Sequence, residues 1–184
     1  LENVDEVEPK LQQLQSSLSD LALHEEMLHR ADLKDALFSH GERMSLLPFS
    51  VVLKQSDVKA ENFDVRNVLK TDSTFGQAVP NLEQISIAAK QLMLPSLEDT
   101  VLVTQGFVGS DSQGNTTTLG RGGSDFTAAL LAEGLGAQTC EIWTDVIGVY
   151  TTDPRISDAA RPLPELSFEK ASDMATFGAK VLHP

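Results

Sequence analysis

Apolar residues recur at three- and four-residue steps through the first part of the chain, at Leu11, Leu14, Leu18 and Leu21 and then at Leu28 and Leu37. That is the period of a helix burying one stripe. A second run, about 41–55, carries Met44, Leu47, Val51 and Val52, and Pro48 within it predicts a kink or a first helical turn. Residues 61–65 are short and mixed and read as a strand leading into a turn. Residues 80–94 place Leu82, Ile85, Ala88, Ala89 and Leu92 on one face, which predicts an amphipathic helix with Pro80 near its start.

The texture changes at residues 100–107, a compact β-branched run that predicts a strand buried on both faces. A turn cluster at 111–115 precedes a short strand at 116–119. Gly120-Arg121-Gly122-Gly123-Ser124-Asp125 then opens an apolar helix over 126–135. After Gly136, residues 139–143 are again strand-like, and 144–164 form a polar, proline-containing passage. A last helix is predicted over 168–177 with Gly178 as its stop. Strands alternating with helices imply an α/β architecture with a sheet covered on both faces. No internal repeat or low-complexity linker interrupts the chain.

Charge narrows the partners. The 184 residues hold 14 Lys and Arg against 27 Asp and Glu, a net of -13. That field repels phosphate backbones, which argues against nucleic acid, yet a few well-placed cations can still bind a small anion. The single cysteine, Cys140, excludes an internal disulfide and suits a reducing cytoplasm. No apolar run approaches the ~20 residues that span a bilayer, and no signal-peptide pattern opens the chain, so no membrane partner is expected. Both ends look cut, with Leu1 starting inside a helical pattern and the apolar Val181-Leu182-His183-Pro184 closing it.

Three segments can carry chemistry. In the turn from Gly120 to Asp125, glycines let a backbone approach an anion, and a helix start offers free N–H groups to it. Arg121 adds a charge-assisted partner for a carboxylate or phosphate, Ser124 a hydroxyl, and Asp125 a carboxylate able to orient a cation. The same residues also fit an ordinary helix start capped by Ser124 or Asp125. In the second segment, 143–155, Thr144 and Asp145 offer groups to a base or ribose, Tyr150 a stacking face and Arg155 a phosphate contact. It also reads as a plain loop with an Asp153-Pro154 turn. Lys180 is a third cation, or simply solvated. Glu42, in Ser39-His40-Gly41-Glu42 at a predicted helix head, balances a helix dipole unless it faces an amine. His24, His29, His40 and His183 have no partners at metal-ligand spacing, so no metal site is expected from them.

Together these segments resemble the catalytic domain of the aspartate kinases, within the amino-acid kinase family. The resemblance rests on VTQGFVGSDSQGNTTTLGRGGSDFTAALLAEGLGA from Val103, IWTDVIGVYTTDPR from Ile142 and SDMATFGAKVLHP from Ser172. SHGERMS from Ser39 and FDVRNV from Phe63 match in order, so it covers essentially the whole chain and looks nearest the lysine-sensitive, monofunctional type. It implies a three-layer αβα sandwich with a mostly parallel central sheet. It also implies phosphoryl transfer from ATP, with Mg²⁺ bound through the nucleotide, to the β-carboxylate of L-aspartate. Glu42 matches the residue that meets the substrate amine. Arg121, Gly122, Gly123 and Ser124 match the substrate turn, and Asp125 and Lys180 the catalytic groups. Thr144, Asp145, Tyr150, Arg155, Lys180 and Val181 match the nucleotide positions.

The family's KFGGTS segment is absent from the sequence, as are its C-terminal ACT domains. The expectation is therefore a partial catalytic domain over 1–184, inactive alone, with a helical substrate-side part at about 1–95 and a nucleotide part at about 100–184. The parent is expected to be a cytoplasmic homodimer with lysine as effector on the ACT domains. Glutamate 5-kinase, acetylglutamate kinase, a fusion to homoserine dehydrogenase and a non-catalytic binding module remain as alternatives.

Overall fold

The computed structural model describes residues 4–144 and 147–178, with backbone only for 4–6. Of the residues singled out above for chemistry, Asp145, Lys180, Val181 and His183 lie outside the described residues. The chain forms two compact units, Leu1–Cys140 and Glu141–Pro184.

In the first unit, α1 (Val4–Ala22) packs along α2 (Ala31–Gln55). The leucines at 11, 14, 18 and 21 are half-buried on one face of α1, as their spacing predicts. Leu28 breaks the pattern: it lies in the turn between the helices, 78% exposed. Arg30 ends that turn by pairing with Asp32 and Glu26. The helix expected over 41–55 proves to begin at Ala31, and Pro48 sits inside it without ending it. Proline deprives the Met44 carbonyl of its donor. Burial of Leu46 and Leu47 immediately before it offsets the loss. His40 is fully buried; its Nδ1–H donates to the Ala36 carbonyl (2.8 Å) and its Nε2 accepts from Ser17 Oγ on α1 (3.2 Å). His24 and His29 are exposed.

Strand β1 (Ala60–Phe63) runs parallel to β2 (Val101–Thr104), Ala60 opposite Val101 and Phe63 opposite Thr104. β3 (Val108–Ser110) and β4 (Thr116–Thr118) form an antiparallel hairpin. The Asp111 carboxylate closes its turn by accepting from the N–H groups of Gln113 (2.9 Å) and Asn115 (2.8 Å) and from Ser73 Oγ (2.9 Å). Asn81 caps α3 (Leu82–Leu92) by accepting from the Gln84 N–H. Helix α4 (Gly123–Leu135) packs on α3, and Val65, Leu69, Ile85, Val108, Leu119 and Leu131 form the core below them.

The alternation of helices and strands is that of the predicted α/β class. Among the described residues, parallel pairing of whole strands is confined to β1–β2, and an isolated parallel bridge joins Lys70 to Ser110. The strand expected over 100–107 is shorter and one-sided: Val101 is 48% exposed, and Phe107 takes a positive φ of 48° that breaks the run before β3. Residues 139–143 form no strand. Helix α4 starts at Gly123, capped by Gly122 in the left-handed region (φ 74°) and by no side chain, which corrects the reading of Ser124 or Asp125 as cap.

In the second unit Tyr150 pairs antiparallel with Pro162, flanked by hydrogen bonds from Leu163 N–H to the Val149 carbonyl (2.8 Å) and from Thr151 N–H to the Arg161 carbonyl (2.9 Å). Helix α5 (Phe168–Thr176) is capped by Ser167 and stops at Phe177 and Gly178, as predicted. No described helix is long and apolar enough to cross a membrane.

Candidate active site

The carboxyl ends of β1 and β2 lie side by side, where open α/β sheets carry their ligands. Gln105, leaving β2, accepts the Val65 N–H through Oε1 (2.8 Å), which ties the two exits together. The next N–H, that of Gly106, points at Glu42 Oε2 over a long 3.5 Å. Glu42 is half-buried on α2. It is not at a helix head, because α2 begins at Ala31, and helix-dipole compensation acts only within the first turn.

On its other side Gly106 meets Ser124. A Cβ at Gly106 would lie 2.5 Å from Ser124 Oγ and 2.7 Å from Ser124 Cβ, so only glycine allows the approach. The fit repeats at Gly123, where a Cβ would lie 2.6 Å from that of Phe107. Thr127 Oγ1 accepts the Phe107 N–H (3.0 Å) and donates to the Gly123 carbonyl (2.8 Å). The Leu119 N–H donates to the Phe107 carbonyl (2.9 Å). Residues 105–107 are thereby stapled to the first turn of α4, and Glu42 and Ser124, distant in sequence, flank one stretch of backbone.

Gly106, Phe107 and Thr127 were not read as site residues from the sequence. The available signal was a lone glycine ending a β-branched run. The Gly123 N–H donates to the Gly120 carbonyl (3.2 Å), but with no side-chain cap the next N–H groups of α4, at Ser124 and Asp125, keep capacity for an anion. Arg121 and Ser124 are exposed and Asp125 half-buried, and none makes a side-chain hydrogen bond or ion pair among the described residues.

A structural ion pair stands nearby. Arg66 Nε donates to Asp64 Oδ1 (2.9 Å), and Arg66 Nη1 reaches Thr116 Oγ1 (3.0 Å), bracing the β1 exit against β4. Burial pushes the Asp64 carboxyl up, but the hydrogen bonds and charge of Arg66, helped by Arg43, outweigh it and hold it below the ordinary range. Burial, and then the charge of Arg66, lower the half-buried Arg43 guanidinium. A cleft of about 340 Å³ opens here, lined in part by Ser17, Arg43, Asn62, Asp64 and Gln105.

In the second unit Thr144 is exposed and Tyr150 half-buried. Arg155, read as a phosphate contact, forks onto Asp153 through Nε (3.0 Å) and Nη2 (2.7 Å), and this hydrogen-bonded pairing raises the guanidinium above its ordinary value. The broad hollow of about 1000 Å³ in this unit, bordered by Leu163, Leu166, Lys170 and Met174, contains none of the candidate catalytic or binding residues. Its size therefore does not make it the site. Among the described residues no group of three or more His, Cys, Asp or Glu is arranged to hold a metal ion.

The chain is 48% identical over 178 residues to lysine-sensitive aspartokinase 3 of Escherichia coli K12, covering 97% of this chain and 40% of that protein. Escherichia coli aspartokinase III, solved in complex with aspartate and ADP, superposes with a TM-score of 0.91 at 49% identity, over 99% of this chain and 40% of that one. The aspartate kinase of Synechocystis gives 0.69 at 35% identity, over 92% and 27%. The chain thus spans about 40% of the length of the Escherichia coli relative. The profile of the amino acid kinase family matches residues 4–184, and the chain belongs to that family.

Proposed function

We propose that the protein carrying this chain is an ATP-dependent aspartate kinase, transferring the γ-phosphoryl group to the β-carboxylate of L-aspartate. The observation that carries the reading is the meeting of Glu42 and Ser124 across Gly106, beside the start of α4, which has no side-chain cap, and Arg121, which has no side-chain partner among the described residues. An amino acid with two carboxylates needs an anion for its ammonium and several donors for its carboxylates. Glu42 supplies the first; Arg121, the Ser124 hydroxyl and the N–H groups of Gly122 and Ser124 supply the second, while Gly123, whose N–H donates to the Gly120 carbonyl, closes the turn. Acetylglutamate, with a blocked amine, gains nothing from Glu42. The relative solved with aspartate and ADP supports the same substrates.

Phosphoryl transfer asks chiefly for alignment and charge neutralisation. In this reading Asp125 and Lys180 are the catalytic groups, the lysine ammonium neutralising charge on the transferring group. Thr144, Asp145, Tyr150, Arg155 and Val181 hold the nucleotide, and Arg155 exchanges Asp153 for phosphate. Mg²⁺ arrives on the nucleotide phosphates and supplies further neutralisation there. A relative named lysine-sensitive, and solved with lysine and aspartate, supports lysine as effector of the parent, which this reading takes to be a homodimer. The lone exposed Cys140 suits the cytoplasm.

The test is coupled ADP release by the intact protein, with hydroxylamine trapping the acyl phosphate. Aspartate-dependent turnover at about 1–100 s⁻¹ is expected, with glutamate and acetylglutamate inert; turnover with either of those instead would overturn the reading. The 184 residues alone, lacking a KFGGTS sequence, are expected to show none.

A further inference from the structure

Helix α2 carries a second carboxylate on the face that holds Glu42. Asp35 lies about two helical turns earlier, with Ser39 between them, and both are buried, Asp35 at 1% exposure. Its three hydrogen-bond partners are all donors. Oδ2 accepts the N–H groups of Thr118 (2.8 Å) and Gly76 (2.9 Å), and Oδ1 accepts the Thr118 hydroxyl (2.9 Å). No cation forms an ion pair with it among the described residues. Burying a carboxylate on these terms is costly unless its lone pairs are filled, and here they are filled by backbone N–H groups and a hydroxyl.

What those bonds fix is informative. Thr118 ends β4, and the chain runs directly from it through Leu119 and Gly120 to Arg121. Its carbonyl accepts the Ala78 N–H (2.9 Å), so the loop through Gly76 and Ala78 is clamped to the same residue. Helix α2 therefore faces the proposed substrate turn at both ends. Asp35 holds Thr118, where the chain enters the turn, and Glu42 faces, over 3.5 Å, the N–H of Gly106, against which Ser124 rests where the chain leaves it.

We propose that Asp35 is a positioning residue for substrate: its buried carboxylate sets the place of the Arg121–Ser124 turn relative to the Glu42 carboxylate. Both are anchored to one rigid helix, so their separation is set by helix geometry and not by loop conformation. Asp35 touches no substrate and acts only through Thr118. The substrate part of the inference rests on the aspartate-kinase reading; the positional part does not.

The experiment pairs kinetics with hydrogen exchange on the intact protein. In Asp35→Ala the aspartate KM should rise about ten-fold while the ATP KM moves less than about two-fold. Amides of residues 116–126 should exchange faster, and those of α3 should not. Asp35→Asn should recover most of both. Its amide oxygen can take the two N–H bonds, and its NH₂ can donate to the Thr118 hydroxyl turned acceptor. Thr118→Val, which removes only the hydroxyl, should show the same pattern at smaller amplitude and serves if Asp35→Ala does not fold. Loss of thermal stability with both KM values unchanged would overturn the proposal, as would unchanged exchange over 116–126. Asparagine as damaging as alanine would overturn it too, since charge and not bonding would then matter. If the unmodified protein does not phosphorylate aspartate, the functional reading falls, and the exchange pattern alone decides whether Asp35 holds the turn.

Discussion

Alanine at Gly106 tests the junction on which the site reading depends. The new Cβ would lie 2.5 Å from Ser124 Oγ, 2.7 Å from Ser124 Cβ and 3.0 Å from Ser124 Cα. Comfortable carbon contacts begin near 3.5 Å, so the first turn of α4 must retreat by about 1 Å or the 105–107 backbone must move away. Rotating the serine hydroxyl aside does not help, because its Cβ remains. Overpacking of this kind costs about 1–3 kcal/mol. Ser124→Gly removes both offending side-chain atoms at a cost of about 0.5 kcal/mol in helix propensity. The double variant should therefore be more stable than the sum of the singles predicts, by about 0.5–3 kcal/mol. Urea denaturation followed by far-ultraviolet circular dichroism reads this. The one tryptophan, Trp143, and the one tyrosine, Tyr150, lie in the second unit, where their fluorescence would miss the event. Gly106→Ala within about 0.5 kcal/mol of the parent, or strict additivity in the cycle, would refute the close approach.

Arg121→Lys keeps the charge but loses the planar fork, so the aspartate KM should rise about ten-fold or more with little change for ATP; a change under about two-fold would remove Arg121 from carboxylate recognition. Ile85→Ala, at a site 1% exposed between α3 and α4, should cost about 2–5 kcal/mol in a urea titration. Val101→Ala on exposed β2 should cost under about 1 kcal/mol in the same titration. Asp64 and Asp111 are both held below the ordinary carboxylate range. At Asp111, as at Asp64, burial pushes up and is outweighed, here by the hydrogen bonds of Asn115, Ser73 and Gln113. The folded chain then binds fewer protons than the unfolded one in acid. Their stabilisation is complete above about pH 4 and is lost as pH falls towards the lowered values. Asp64→Asn should flatten part of that acid limb in urea midpoints taken between pH 3 and 6.

Local pattern carried much of this fold because its cause is local. The spacing of Leu82, Ile85, Ala89 and Leu92 predicted α3, and the Asp111–Asn115 cluster predicted the hairpin turn, since periodicity and turn chemistry act within a few residues. The family resemblance likewise rests on contiguous motifs. Element limits were less legible where tertiary packing overrode a local signal. Pro48 reads as a kink or a first turn, yet α2 starts far ahead of it at Ala31 and runs through it, and Phe107 reads as strand, yet its amide and carbonyl are captured by Thr127 and Leu119 and it bends. The fourteen-to-twenty-seven charge imbalance was visible at once, but not which cations stay unpaired. Arg121 is free of side-chain partners among the described residues, while Arg66 and Arg155 are spent on Asp64 and Asp153.

The amino-acid sequence alone determined the helix-and-strand alternation, the family and the residue types a substrate turn would need. Only the tertiary structure decided that Glu42 stands well inside α2, that Gly106 is the surface on which it meets Ser124, and that Asp35 holds the other end of the same turn. Each of those facts depends on contacts between segments far apart in the chain. No periodicity or motif encodes such distances; packing on α2 does.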